Sequence, residues 1–301
     1  MDRRTFLAAA GGAMASGAAL KASARPAKGE DKFSVHFAPH FGMFRHHAGD
    51  DPVAQLEFAA AQGFTAWEDN GMGGRSHEEQ ARIAEAMHRL GITMGVFVLN
   101  PSSAWGPAFS QGKSEDVDAF VKACEEAVAV AKRVSAKWMT VVPGTEHPRI
   151  DIEYQTASAV EQLRRGAEVL EPHGLVMVLE PLNPRDHPGM LLAKMSHAYQ
   201  ICRAVDSPSC KILCDLYHQQ ITEGNLIPNI DRAWDEIAYF QIGDNPGRNE
   251  PTTGEINYAN VFRHIKGKGF AGVLGMEHGN SQEGAEGEQA VIDAYRAVDP
   301  R

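Results

Sequence analysis

From residue 33 onward the chain repeats one pattern eight times: a short apolar run, then a longer stretch with apolar residues at helical spacing. The runs are FSVHFA (33–38), FTAWE (64–68), ITMGVFV (92–98), KWMTVV (137–142), LVMVLE (175–180), KILCD (211–215), IAYFQIG (237–243) and GVLGME (272–277). Helical patterns follow at 52–62, 76–90, 114–134, 152–172, 192–204, 226–235, 258–267 and 286–297. Runs this continuous, rich in Val, Ile and aromatics, suit strands buried on both faces of a parallel sheet. Ser76 before Glu79, and Ser114 before Glu115 and Asp116, mark helix starts. Gly63, Gly91, Gly174 and Gly269 mark helix ends.

Eight βα units in one domain-length chain predict an α/β fold, a single-domain (β/α)8 TIM barrel over residues 33–301. A doubly wound open sheet is the alternative, but no GxGxxG follows the first run. Upstream stands MDRRTFLAAAGGAMASGAALKASARPAKG, with paired arginines, a weakly apolar Ala/Gly run and Ala22-Ser23-Ala24. That order is the pattern of a removable export signal of twin-arginine (Tat) type over 1–24, with 25–32 as linker. It predicts a partner in the Tat machinery and a periplasmic or otherwise exported product. No later stretch approaches the ~18 consecutive apolar residues of a membrane span, so no stable membrane insertion is expected.

The formal charge is −10, and removing Asp2, Arg3, Arg4 and Lys21 with the signal leaves −12. A surface that acidic repels phosphate backbones, and no Lys/Arg run builds a basic groove, so nucleic acid is not an expected partner. Four cysteines at 124, 202, 210 and 214 are too few for a disulfide scaffold or zinc ribbon. Cys202 and Cys210 could pair in an oxidising compartment, though nothing requires it.

In a barrel of this kind the reactive groups sit where strands end. The later runs end on Glu180, Asp215, Gln241 and Glu277, spaced 35, 26 and 36 residues apart, each about one βα unit. Carboxylates converging on one rim repel by roughly 1–4 kcal/mol per pair, and a proton or a cation must relieve that. Oxygen donors alone, including the Gln241 amide, suit a hard divalent ion, Mg²⁺ or Mn²⁺, better than zinc. A single strand-end carboxylate is more often a salt-bridge or capping residue; four strand-end oxygens in succession favour a metal. His218, one loop step past Asp215, is placed to bond a substrate oxygen, or else is a structural histidine. Arg248, in GDNPGRNEPTTGEINY, is a fixed cation beside an acidic rim and suits a substrate carboxylate or polyol. Glu255 is read as organising that loop or capping the next helix.

With LEPLNPRDHPGM, KILCDLYHQQITEGNL, FQIGDNPGRNEPTTGEINY and GVLGMEHG in place, the sequence resembles the hydroxypyruvate isomerase family, within the xylose-isomerase-like sugar isomerases and epimerases. The likeness is specific over 175–280; before that it rests on pattern, with Glu68 in TAWEDNG and Asn100-Pro101 in recognisable places. The resemblance implies Glu180 and Glu277 as the catalytic acid/base pair. It also implies Glu180, Asp215, Gln241 and Glu277 as metal ligands, and His218 and Arg248 as substrate contacts. The departures are Asp69-Asn70 with a glycine-rich loop, Trp105 and Phe109, and the export signal; they bear on the exact substrate.

Such a site predicts a metal-assisted shift of a proton through an enediolate using two glutamates, and the resemblance implies hydroxypyruvate and tartronate semialdehyde as the pair interconverted. The alternative is a periplasmic metal-dependent epimerase or lyase acting on keto-sugars. Trp67, Trp105 and Phe109 gathered over the site would favour a sugar ring over a three-carbon acid. A binding protein that has lost catalysis would need no second glutamate, and an endonuclease on the same barrel would need a basic groove.

Overall fold

The computed structural model describes residues 31–99 and 105–301. The predicted signal at 1–24, most of the linker, and Asn100-Pro101 lie outside the described residues. Eight strands alternate with helices. In chain order these are β1 (His36–Ala38), α1 (Arg45–Ala48), α2 (Pro52–Ala61), β2 (Ala66–Trp67), α3 (His77–Leu90), β3 (Thr93–Met94) and α4 (Ser114–Val134). There follow β4 (Trp138–Val141), α5 (Ile152–Leu170), β5 (Val176–Leu179), α6 (Met195–Val205), β6 (Cys210–Asp215), α7 (Leu216–Thr222) and α8 (Leu226–Ala233). The chain closes with β7 (Ile237–Gln241), α9 (Tyr258–Gly267), β8 (Val273–Gly275) and α10 (Gly284–Val298).

Six strands pair in parallel in the order β1-β8-β7-β6-β5-β4, and β2 pairs with β3. Parallel bridges His40–Glu68 and Val98–Thr140 join the two sheets on both sides and close the ring. The sheet is thus a (β/α)8 barrel, as the repeat predicts.

Period-2 alternation along each strand sorts the core into two layers. Ala38, Ala66, Val96, Val176, Val178, Leu213, Tyr239 and Val273, with Trp138, fill the barrel interior. Their neighbours Phe37, Trp67, Met139, Met177, Ile212, Phe240 and Leu274 face outward under the helices. At about 25 cal/mol per Å² of apolar surface, both layers contribute to stability, but only the inner one leads to the site. Two residues beyond Val178, Leu213 and Tyr239, and four beyond Val273, the same parity aims Glu180, Asp215, Gln241 and Glu277 inward at the C-terminal rim.

Three local expectations need correction. Residues 92–98 do not form one continuous strand: the ladder stops after Met94, because the Tyr239 hydroxyl reaches the backbone there, 3.4 Å from Val96 N. Gly95 leaves room for it, since a Cβ would meet that hydroxyl oxygen. Ser114 is the first residue of α4 and makes no capping bond to it, whereas Ser76 does cap α3 through Glu79 N at 3.2 Å. The residues after Asp215, read as loop, form α7, because the Asp215 side chain caps it. All four cysteines are buried and free. Among the described residues no helix is long and apolar enough to cross a membrane.

Candidate active site

Asp215 divides its two oxygens between fold and site. Oδ1 accepts from Tyr217 N at 2.8 Å and His218 N at 3.3 Å, which starts α7 as an N-cap carboxylate should. Oδ2 faces the rim, 3.1 Å from Arg248 Nη2. The apolar run ILCD therefore ends on a buried carboxylate that has backbone donors on one side and a cation on the other.

Gln241, the last residue of β7, lies in register with Asp215 on β6 and Gly275 on β8. Its Nε2 donates to Glu68 Oε1 at 2.9 Å, and the Tyr239 hydroxyl donates to Glu68 Oε2 at 2.9 Å. Glu68 is thus a buried acceptor that holds the amide one way round. Gln241 Oε1 is left buried with no hydrogen-bond partner. Gly275 makes the space, because a Cβ there would collide with Glu68 Oε2.

Glu277 Oε1 accepts from Asn70 Nδ2 at 2.8 Å and Oε2 from Arg248 Nη2 at 2.7 Å. Arg248 therefore bridges Asp215 and Glu277. It has φ 51°, a left-handed conformation costly for a side-chain-bearing residue. The loop imposes it: Arg248 N donates to Asp244 O, Asp244 N to Asn249 O, and the buried Asp244 carboxylate collects Asn245 N, Gly254 N and Ile256 N. Glu255 ties this loop to α7, accepting from Asn245 Nδ2 at 2.8 Å and Gln220 Nε2 at 3.2 Å. That is the loop-organising role read for it; Asn257 caps α9 instead.

The electrostatics are those of an acidic cluster short of cations. Burial first, then repulsion from Glu277 and Asp215, holds the Glu180 carboxyl well above the usual carboxylate range. Burial and Glu277 do the same to Glu68, against the hydrogen bonds it accepts. Burial raises Glu277 as well, with Arg248 opposing. Burial works against the Arg248 charge, but Asp215, Glu277 and Glu180 outweigh it, so the guanidinium is held more firmly. Burial pushes the His218 imidazole down to about 4.

A cavity of about 310 Å³ opens on this rim, lined by Glu180, Glu277, His218, Arg248, Asn70, Thr140, Val98, Val142, Leu182, Trp105 and His187. Of the three aromatics expected over the site, only Trp105 is there, stacked on His187 at 5.3 Å. Phe109 is buried against Phe120 and Trp67 against Phe41, so the apolar cover is one ring and not three.

The rim passes a test of fit for a divalent cation. Glu180 and Asp215 bring carboxylate oxygens within 4.8 Å of one another. The unpartnered Oε1 of Gln241, a residue in backbone register with Asp215, adds a neutral oxygen. Carboxyls whose pKa values are raised by burial and mutual repulsion are what a cation would relieve. The structure therefore brings Glu180, Asp215, Gln241, Glu277, His218 and Arg248 to one rim. The sequence reading missed Asn70 and Asn183, and gave Glu68 no role. Glu68 and Asn70 continue the inward parity of Ala66, a signal present in the sequence; Asn183 carries none, because it lies in a loop.

A barrel with a small polar cavity at its C-terminal rim is the architecture of an enzyme for a small molecule. Residues 56–298 match the xylose isomerase-like TIM barrel family. Hydroxypyruvate isomerase of Escherichia coli is 30% identical over 270 residues, 88% of this chain and 99% of that protein. The 2-oxo-tetronate isomerase of Cupriavidus necator is 30% identical over 244 residues, 78% of this chain and 89% of that one. A crystal structure of AP endonuclease, family 2, from Brucella melitensis superposes with a TM-score of 0.73 over 87% of this chain and 99% of its own, at 24% identity, a likeness of fold alone. The chain belongs to the xylose isomerase-like TIM barrel family, and within it is an isomerase.

Proposed function

We propose that this isomerase interconverts hydroxypyruvate and tartronate semialdehyde, with Glu180 and Glu277 as the acid/base pair. The observation that carries the reading is that these two glutamates line one small cavity together with Arg248 and His218. Relatives named for isomerisation of hydroxypyruvate and 2-oxo-tetronate support a short 2-oxo acid as substrate class. The reaction removes a proton from the hydroxymethyl carbon to give an enediolate and returns one to the former carbonyl carbon. One glutamate takes the proton and the other, or the same one, delivers it. Arg248 supplies a guanidinium, and His218 a ring N–H, to substrate oxygens. Asn70 and Arg248 hold the Glu277 carboxylate in place.

Glu180, Asp215, Gln241 Oε1 and Glu277 would hold a divalent metal, Mg²⁺ or Mn²⁺. When bound, it supplies Lewis-acid polarisation of the carbonyl and offsets the carboxylate repulsion. A keto-sugar epimerase or lyase is the second reading. It is the weaker one, because Phe109 and Trp67 pack away from the cavity and Trp105 alone of the three lines it. The N-terminal pattern leads us to place the protein outside the cytoplasm through Tat export.

The test is metal analysis of the purified protein, then assays with hydroxypyruvate, 2-oxo-tetronate and a panel of keto-sugars. Turnover of the 2-oxo acids, lost in Glu180→Gln and in Glu277→Gln, is the expected result. Hydroxypyruvate turnover surviving both substitutions overturns the two-glutamate reading; turnover of keto-sugars alone promotes the second one.

A further inference from the structure

By residue type and spacing, Glu180, Asp215 and His218 form a three-ligand group, with His218 Nε2 3.7 Å from Glu180 Oε1 and 3.6 Å from Asp215 Oδ2. The other face of the ring argues against an imidazole ligand. His218 Nδ1 is approached by two donors of one residue, Asn183 Nδ2 at 2.7 Å and Asn183 N at 3.3 Å. The backbone N–H can only donate. The amide is fixed too: Asn183 Oδ1 accepts from Arg185 N at 3.0 Å and Asp186 N at 2.9 Å, and Nδ2 donates to Asp186 Oδ2 at 3.0 Å. Turning the amide over would set its NH₂ against two backbone N–H groups and its oxygen against a carboxylate.

We infer that Asn183 is a positioning residue that fixes the neutral His218 ring with its proton on Nε2, making it a hydrogen-bond donor toward the cavity and barring it from the metal. A ring that binds a metal through one nitrogen ordinarily donates its other N–H to an acceptor, the reverse of what Asn183 offers. Arg248 Nη2 lies 3.4 Å from Nε2. With Nε2 protonated this is a contact between two donors, tolerated because Arg248 makes its shorter bonds to Asp215 and Glu277. The consequence is a centre with oxygen donors only, in which the neutral ligand is Gln241 Oε1. One asparagine three residues past Glu180 thereby selects for a hard cation and against zinc.

The inference deepens the reading of His218 as a substrate contact, and its test uses no turnover. The full chain, labelled with [¹⁵N]histidine and stripped of metal, is examined by long-range ¹H–¹⁵N correlation, with His218 assigned from the signal missing in His218→Gln. The expected wild-type pattern has the proton on Nε2. The paired exchange Asn183→Asp with Asp186→Asn replaces the donor facing Nδ1 by an acceptor while keeping one carboxylate and one amide. It is expected to move the proton to Nδ1 and to tighten zinc binding, read by competition dialysis, by about tenfold or more. Asp186→Asn alone is expected to do neither. A wild-type proton on Nδ1, or a paired exchange that changes neither tautomer nor zinc affinity, overturns the inference. If the paired variant does not fold, the wild-type spectrum decides. Either result leaves the two-glutamate reading to its own assay.

Discussion

The Tyr239 hydroxyl donates to Glu68 Oε2 at 2.9 Å, joining strand β7 to the end of β2 across the barrel interior. Tyr239 is the topmost ring of the apolar interior, and Glu68 is the underside of the site. Between them they turn packing into chemistry: Glu68 accepts from the tyrosine and in turn holds the Gln241 amide nitrogen, leaving the amide oxygen buried and unpartnered. Asp215 lies in register with Gln241, so barrel and rim share one hydrogen-bonded column.

Gly275 is the clearance that permits this column. A methyl at that position collides with Glu68 Oε2, and β8 is paired on both sides, so neither can retreat cheaply. Gly275→Ala is expected to destabilise the protein by about 1–3 kcal/mol or more. Urea unfolding of the metal-free protein measures this, and an unchanged midpoint would refute the column.

Removing a rim carboxylate should trade function for stability. Glu180 is buried beside Glu277 and Asp215, so its neutral isostere relieves repulsion in the metal-free protein. Glu180→Gln is expected to melt higher than wild type in EDTA and to lose about 10²–10⁴ in kcat. A lower melting temperature would show that the carboxylate is structurally satisfied without a cation.

The same carboxyls set a pH dependence. Their folded pKa values are raised, so the folded state holds protons that the unfolded state has released, and the stability this gives is lost as pH rises. His218 and His278 are depressed by burial to about 4 and about 3, so their contribution is lost as pH falls below the unfolded histidine value of about 6.5. Above that value both histidines are neutral in either state. Metal-free protein should therefore gain stability as pH drops toward the unfolded carboxylate value of 4.5, and the histidines should oppose the gain below about 6.5. Added Mn²⁺ should reverse the upper limb, because binding takes up ionised ligands. Urea midpoints across this range, with and without metal, read both slopes.

The proposed export is a separate matter and would rest on residues 1–24. Replacing Arg3 and Arg4 by Lys should retain the protein in the cytoplasm with its barrel unchanged, as fractionation and circular dichroism would report. Undiminished export of the variant would remove the twin-arginine reading and leave the site untouched.

The barrel was legible in the sequence because its cause is periodic. Eight apolar runs, each with its helical partner, call for a parallel sheet covered by helices, and counting two residues past Val178, Leu213 and Tyr239 lands on Glu180, Asp215 and Gln241. What only the tertiary structure decided were pairings between residues with no periodic relation. Tyr239 meets Glu68 across 171 positions, Asn70 meets Glu277 across 207, and the Asn183 loop turns back onto His218. Strand parity tells which side chains point inward. It does not tell which donor meets which acceptor, because that depends on how the ring closes, and closure is a property of the whole barrel and of no single strand.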